Sequence, residues 1–422
     1  MVRFGRKFAR FVTSVTRGLQ KPQRKFISDV LYGMLVGRSV VLADIARALR
    51  EPCRLIHTEK RLSRMLGSPR LDAGLLQRNY LRRARTELKG CVIAVDGSDI
   101  SKPHARKMPF LAHVRDGSKS RGPSFGRTPE AEKMAITNPG YTLLQAEAVG
   151  LAGHHIPLWM GIVSSADPAF QSEAGELREM MVRLTRYVPA EAIWVFDRGY
   201  DSNRIFALLD VATVRFVVRI KAQSRYIFVL DEHGEFKKLK EEGIAAGIPP
   251  IHPFKVERWR GRRADRTDLR LGWAKVKLQG YTPSGSAKGY SENWYTLVTV
   301  QRGTMTPMVL LSNIKVESQQ DAEVIATAYF HRWGVEESTR FEKQGFGLEA
   351  VRVLTWERLQ RLLLLAMMAY GFLAVANGTT DALRPACASV PAFGPTPRYH
   401  FYRAGELAAT HLRRRGRLRA AA

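Results

Sequence analysis

Two short apolar runs, each ending in an aspartate, constrain the fold of this chain most strongly. Residues 91–96 read CVIAVD and residues 192–197 read AIWVFD, and neither run carries a charge before Asp96 or Asp197. Apolar runs of this length between turn residues are typical of strands buried on both faces of a sheet. Each aspartate is therefore expected to end a buried strand, where a carboxylate costs free energy unless a partner satisfies it. Each aspartate therefore either caps the following loop or belongs to a functional site.

The segments around these runs predict the order β-β-β-α-β-α-β, which is an α/β class with a mixed sheet flanked by helices. Alternating and β-branched runs joined by a short turn predict a hairpin, and a serine before an amphipathic run predicts a capped helix. The segments are a hairpin at 141–165, helices at 172–188 and 202–212, and a strand at 215–221.

The rest of the chain divides by composition. Apolar residues at helical spacing predict a small helical domain before Cys91, and alternating or β-branched segments predict a β-rich insertion. A helix is expected from about Asp321 to Gln344. The expected domains are a helical basic domain at 1–90, the first part of the α/β domain at 91–221, the β-rich insertion at 222–312, the second part at 313–376 and a C-terminal region at 377–422.

Charge indicates the kind of partner. The chain has 67 Lys and Arg against 39 Asp and Glu, a net charge of +28, and residues 1–90 alone hold 21 basic and 6 acidic side chains. Such an excess is typical of proteins that bind nucleic acid, although ribosomal and membrane-surface proteins are equally basic. Lys60, Arg61 and Arg64 lie on a predicted helix and either face DNA or form a solvated basic face.

Cysteine spacing and hydropathy indicate the compartment. Cys53, Cys91 and Cys387 lie far apart, which argues against a zinc ribbon or a disulfide framework and fits a reducing cytosol. The longest apolar run, 362–376, is shorter than the roughly 18 residues that a membrane span needs. We expect a buried helix there, a cytoplasmic protein and no membrane partner.

The stretch YFHRWGVEESTRFEK gathers acids and bases. Read as one helix, it places Tyr329, Arg332, Glu336 and Lys343 within an arc of about 60°, and Arg340 joins that face. The glycine within the stretch argues against a continuous helix. A lone acid among bases commonly forms a surface ion pair. Glu336, however, is one of three isolated acids, together with Asp96 and Asp197. Three isolated carboxylates suit a hard divalent cation such as Mg²⁺.

The same residues resemble a known family. Tyr329, Arg332, Glu336 and Lys343 match the Y-(2)-R-(3)-E-(6)-K signature of a large group of bacterial insertion-sequence transposases of the DDE class. AVDGSD resembles the group's first-aspartate strand, FDRGYDS resembles its second-aspartate block, and the likeness covers roughly residues 91–376. The resemblance implies a ribonuclease H-like catalytic domain interrupted by a β-strand insertion, a helical N-terminal DNA-binding domain and a helical C-terminal region.

The resemblance also implies roles. It makes Asp96, Asp197 and Glu336 a catalytic triad that binds two Mg²⁺ ions, with Mn²⁺ as a substitute. The residues expected to contact DNA near the cleaved end are Tyr329, Arg332 and Lys343, with Arg340 on the same face.

The implied activity is metal-dependent strand cleavage at transposon ends followed by strand transfer into target DNA. The implied partners are double-stranded DNA and a second copy of the chain, and residues 377–422 are expected to serve dimerisation or DNA contact. The expected location is the bacterial cytoplasm, at the nucleoid. The alternatives are a nuclease of the same fold without strand transfer and a non-catalytic DNA-binding protein derived from a transposase.

Two points stay open in the sequence. Asp99 and Asp201 lie close to the assigned aspartates and compete with them. Some members of the group form a DNA hairpin and stack a flipped base on a tryptophan, where this chain has Met308. Trp259, Trp273 and Trp294 of the insertion either provide such a stacking surface or pack its core.

Overall fold

A computed structural model gives the structure of the protein, and its described residues form two compact units. The first unit comprises Met1–Lys89, Asp96–Tyr187 and Val335–Ala422, and the second comprises Gly90–Val95 and Val188–Gly334. The described residues are 2–115, 137–151, 154–221, 227–230, 233–239, 241–260, 263–279, 291–378, 408–410 and 412. Most of the predicted C-terminal region, 377–422, lies outside them.

The first unit begins with helices that bury an apolar face. Phe26, Val30 and Met34 recur at helical spacing and are at most 1% exposed. Three segments with apolar residues at helical spacing, 26–36, 40–50 and 58–66, coincide with the second, third and fourth of these helices. The helices are α1 (Val2–Val15), α2 (Lys21–Gly37), α3 (Leu42–Leu49), α4 (Leu55–Leu66) and α5 (Ala73–Arg85).

The first unit also contains antiparallel strands. The predicted hairpin is confirmed, since β3 pairs with β4 in antiparallel register, and β2 pairs with the start of β3. Gly140 permits a close approach there, because a Cβ would lie 2.3 Å from the carbonyl oxygen of Ile100. The elements are β2 (Ala112–Arg115), β3 (Thr137–Leu151), β4 (His154–Val163), α6 (Glu173–Leu184), and, later in the chain, α10 (Trp333–Gly345, of which residues 335–345 belong to this unit) and α11 (Trp356–Gly378).

The second unit is built on a mixed sheet. Parallel pairing joins β1 to β5 and β5 to β6, and β12 then pairs antiparallel with β6. From β12 the order continues through β11, β10 and β7 to β8, and β9 pairs with β10. The strands are β1 (Val92–Ser101, of which residues 92–95 belong to this unit and 96–101 to the first), β5 (Ile193–Phe196), β6 (Arg215–Arg219), β7 (Ile227–Leu230), β8 (Phe236–Leu239), β9 (His252–Arg260), β10 (Arg263–Leu278), β11 (Tyr295–Gln301) and β12 (Met308–Ser312).

Helices accompany this sheet. They are α7 (Asn203–Val211), α8 (Glu241–Gly247) and α9 (Gln319–His331). The predicted α/β class with a mixed sheet and helices is therefore confirmed. The sequence did not predict β2 and β8, which are only four residues long. The predicted domain boundaries stay predictions.

The prediction that Asp96 ends a strand is wrong. β1 continues past Asp96 to Ser101, and Ile100 on this extension is fully buried. The pairing with β5 ends at Val95, whereas β1 also has β3 as a neighbour in the sheet. The extension follows from this second neighbour, which a local apolar pattern does not reveal.

The prediction of one continuous helix through the Y-R-E-K residues is also wrong. α9 ends before Arg332, whose backbone N–H donates to the carbonyl of Tyr329, three residues back rather than four. Gly334 is the second residue of α10, and glycine favours a helix interior least after proline. Tyr329 therefore belongs to α9, and Glu336 and Lys343 belong to α10.

The long apolar helix α11 is a core helix. By length and composition alone, Trp356–Val375 could cross a membrane, with a mean hydropathy of 1.4. However, 83% of its most apolar window is buried inside the protein, and α11 packs against β4, α2 and α5 of the first unit. This agrees with the buried helix predicted for residues 362–376.

Candidate functional site

Asp197 lies where β5 ends. All four residues of β5 are buried, and the half-buried Asp197 precedes a short 3₁₀ turn at Arg198–Tyr200. The prediction that Asp197 follows a buried strand is confirmed. Asp201, the alternative candidate for the second catalytic aspartate, accepts a hydrogen bond from the backbone N–H of Lys221 at 2.6 Å. This bond stabilises the loop after β5.

Tyr329 and Arg332 lie beside Asp197 within the second unit. The Tyr329 hydroxyl donates to Oδ1 of Asp197 at 3.3 Å, and the Arg332 guanidinium carbon lies 5.7 Å from the centre of the tyrosine ring. The two side chains are only 3% and 4% exposed. Burial raises the pKa of Tyr329, and the positive charges of Arg332 and Arg219 oppose that rise. The phenol therefore remains a hydrogen-bond donor at neutral pH, and three residues predicted from two separate motifs meet here.

Lys343 is bound within the first unit. Its Nζ donates to the backbone carbonyl of Asp99 at 2.5 Å and lies 3.4 Å from the carboxylate of Glu349. These contacts connect α10 to β1 and to the 3₁₀ turn at Leu348–Ala350. Its side chain keeps 26% exposure, so the ammonium group holds the fold together and still faces solvent in part.

Asp96, Glu336 and Arg340 are the remaining predicted site residues. Oδ1 of the half-buried Asp96 accepts a hydrogen bond from the backbone N–H of Gly97 at 2.9 Å. Glu336 is exposed in the first turn of α10, where the helix dipole favours an acid. Arg340 is exposed four residues later, which places it on the same helix face.

The metal site predicted from these acids stays a prediction. Among the residues that the structure describes, no group of three or more His, Cys, Asp and Glu side chains is placed to hold a metal ion. The donor chemistry of Asp96, Asp197 and Glu336 nevertheless suits a hard divalent cation, because all three supply carboxylate oxygens.

A buried glutamate pair, Glu147 on β3 and Glu342 on α10, was not predicted. The two residues are 0% and 1% exposed. Nε2 of Gln145 donates to Oε2 of Glu342 at 2.6 Å, and Thr339 donates to Gln145 at 2.7 Å. Within the described part of the chain, both oxygens of Glu147 and Oε1 of Glu342 have no hydrogen-bond partner. The one available signal was a glutamate inside the apolar run YTLLQAEAVG.

Burial decides the protonation of this pair. It raises the pKa of Glu147 well above the usual range, and the neighbouring Glu342 adds to the rise. Burial also raises the pKa of Glu342 to about 8, against the effect of the Gln145 hydrogen bond. Two adjacent buried carboxyl groups are not both ionised at neutral pH. The pair therefore holds at least one proton.

The basic residues predicted on α4 differ in their surroundings. Arg61 is committed to the protein, with its guanidinium 3.0 Å from Asp29 and 2.8 Å from Glu51. Lys60 and Arg64 are exposed. Lys60 and Arg64 are therefore more available to a partner than Arg61, whose side chain is 31% exposed.

The tryptophans of the insertion have protein neighbours. Trp273 lies 4.5 Å from the His252 ring, and Trp294 stacks on Phe236 at 5.8 Å with Lys275 above its ring at 4.3 Å. The Trp259 side chain lies outside the described residues. Met308 begins β12 and pairs with Val300. The contacts of Trp273 and Trp294 favour packing over a free stacking surface.

Comparison with known proteins gives one family. The profile of the Transposase DDE domain matches residues 87–372. Among solved structures, a piggyBac transposase in a synaptic complex with hairpin DNA aligns at 10% identity and a TM-score of 0.43, over 95% of this chain and 73% of that one. None of the curated protein sequences matches significantly.

Proposed function

Because this chain belongs to the Transposase DDE domain family, we propose that it is a cut-and-paste DNA transposase of the bacterial Y-R-E-K group. It would hydrolyse one strand at each transposon end and join the freed 3′-hydroxyl to target DNA. The observation that carries the proposal is the contact between Tyr329 and Asp197. It brings the tyrosine of the signature onto the aspartate of the second-aspartate block, although 132 positions separate them in the chain.

Asp96, Asp197 and Glu336 are the residues that would hold Mg²⁺ or Mn²⁺. Support comes from the sheet: Val95 and Phe196 are partners in the parallel register of β1 and β5, and Asp96 and Asp197 directly follow them in the sequence. The strand pattern also supports a ribonuclease H-like core, with β1, β5 and β6 parallel and β3 antiparallel to β4. A bound divalent cation supplies positive charge that activates the attacking oxygen and stabilises the leaving oxygen.

The other predicted site residues are assigned two roles, orientation of Asp197 and contact with DNA phosphates. Tyr329 and Arg332 are almost fully buried, so we assign to them the orientation of Asp197. Arg340 is exposed and Lys343 partly so, which suits them to neutralise DNA phosphates. The role of Tyr329 and Arg332 in contacting the cleaved end stays a prediction. So do the homodimer, which would pair two transposon ends, and the bacterial cytoplasmic location.

The test uses purified full-length protein, Mg²⁺ and a duplex that carries the inverted repeats bordering its coding sequence. Wild-type protein should cut at the repeat ends and join them to a supercoiled plasmid. Asp96→Asn and Glu336→Gln should abolish cutting while binding in a gel-shift assay is retained. Cutting by either variant at near the wild-type rate would contradict the assignment. Cutting without joining, even with precleaved ends, would indicate a nuclease, and binding alone a non-catalytic protein.

A further inference from the structure

Helices α2, α3 and α4 of the first unit pack against one another. α2 and α3 meet at 95° across a four-residue connection, and five residues join the short α3 to the longer α4. In helix-turn-helix proteins, a short helix is followed after a turn by a second helix that lies in the major groove of DNA, and α3 precedes α4 in this order here. The packing alone does not decide which face of α4 is available.

The inner face of α4 is fixed to the protein. Thr58, Leu62 and Leu66 are buried at i, i+4 and i+8. Glu51, in the connection before α4, accepts hydrogen bonds from Thr58 and from Arg61, both at 2.8 Å. These contacts fix how far α4 is rotated about its own axis.

The outer face of α4 combines apolar and basic side chains. At 100° per residue, Ile56, His57, Lys60 and Arg64 share an arc of about 100° opposite the buried residues. Ile56 is 47% exposed, and the other three are exposed as well. The acid of this helix, Glu59, falls outside that arc. The N-terminal residues of the helix thus present an aliphatic group and an imidazole beside cations.

We infer that α4 reads base pairs in the major groove of duplex DNA through Ile56, His57 and Lys60. The charge is complementary, because residues 1–90 hold 21 basic and 6 acidic side chains. A 12-residue helix is about 18 Å long and fits a groove about 12 Å wide. An exposed aliphatic side chain matches the thymine methyl group, and lysine matches guanine acceptors or phosphates. The inference deepens the proposed function, because it says which helix would recognise the transposon ends.

The experiment is selection of binding sites from duplexes with 30 randomised base pairs, by full-length protein in EDTA. No cleavage occurs in EDTA, so the result is independent of the catalytic assignment. Ile56→Ala and His57→Ala should lower discrimination at separate positions of the motif by at least about fivefold. Lys60→Ala should do the same at a guanine or weaken binding to all sequences.

The matched control is Val211→Ala, which truncates an 83% exposed aliphatic side chain of the second unit and should keep the wild-type motif. Circular dichroism confirms that each variant is folded. The inference is overturned if wild type enriches no motif, or if Ile56→Ala and His57→Ala both keep the wild-type discrimination at every position.

Discussion

Two carboxylate environments in this protein differ in almost every physical respect. Asp197 of the second unit is half-buried, receives a hydrogen bond from Tyr329 and has Arg332 against the tyrosine ring. Glu147 and Glu342 of the first unit are fully buried, and burial raises the pKa of both. An acid needs solvent or positive charge nearby to stay ionised. Burial therefore keeps a proton on the glutamate pair, whereas Asp197 presents a carboxylate oxygen to the Tyr329 hydroxyl.

The largest effect is expected at Asp197. Asp197→Asn removes the negative charge but keeps the shape and the acceptor for Tyr329. DNA cleavage with Mg²⁺ should fall at least about 10³-fold, because charge stabilisation in the transition state is lost. The rate of strand cleavage in single-turnover assays measures this. A decrease in the cleavage rate of less than tenfold would contradict the assignment of Asp197 as a metal ligand, and Asp197 would then not differ in function from the buried glutamate pair.

The buried glutamate pair should respond to pH instead. The folded-state pKa of Glu342, about 8, lies above its ordinary value of 4.5. Its contribution to stability is therefore complete below pH 4.5 and is lost as pH rises through about 8. Glu342→Gln should melt at least about 2 °C above wild type at pH 9, with the difference vanishing towards pH 5.

Thermal unfolding at pH 5, 7 and 9 measures that difference. The exposed Glu292→Gln provides the control, and its melting temperature should follow the wild-type curve at each pH. A Glu342→Gln difference that stays constant with pH would show that Glu342 is not the protonated group.

A smaller effect is expected at Tyr329. Tyr329→Phe keeps the ring against Arg332 but removes the hydrogen bond to Asp197. Cleavage should slow about tenfold at saturating DNA, as for other groups that orient a metal ligand, while DNA affinity stays unchanged. Tyr187→Phe serves as the control. An equal loss in affinity and rate would instead indicate that the phenol contacts DNA.

The smallest effect is expected at Lys343. Lys343→Ala should weaken binding to the duplex that carries the inverted repeats and reduce the slope of log affinity against log salt by about 0.9, the value for one phosphate contact. Fluorescence anisotropy over a range of salt concentrations measures the slope. An unchanged slope with a lower melting temperature would assign Lys343 only to its contacts with Asp99 and Glu349.

The sequence predicted what depends on local pattern. The apolar runs before Asp96 and Asp197 are strands, and the serine before α6 caps it by accepting a hydrogen bond from Gly175. It did not predict where β1 ends, because the partner β3 lies about 40 residues away. The buried glutamate pair was missed for the same reason, since Glu147 looks like any acid until α10 covers it.

The hydrogen bond between the N–H of Ile220 and the carbonyl of Val309, at 3.0 Å, joins residues near the two ends of the segment predicted as a β-rich insertion. The chain leaves β6 and returns beside it in β12, which pairs with β6 so that Arg219 lies opposite Leu310. Because the segment between β6 and β12 starts and ends at neighbouring points, it can gain or lose residues during evolution without displacing the residues before β6 or after β12. Asp197 precedes this segment and Tyr329 follows it, so the distance between the two side chains would not depend on the length of the segment.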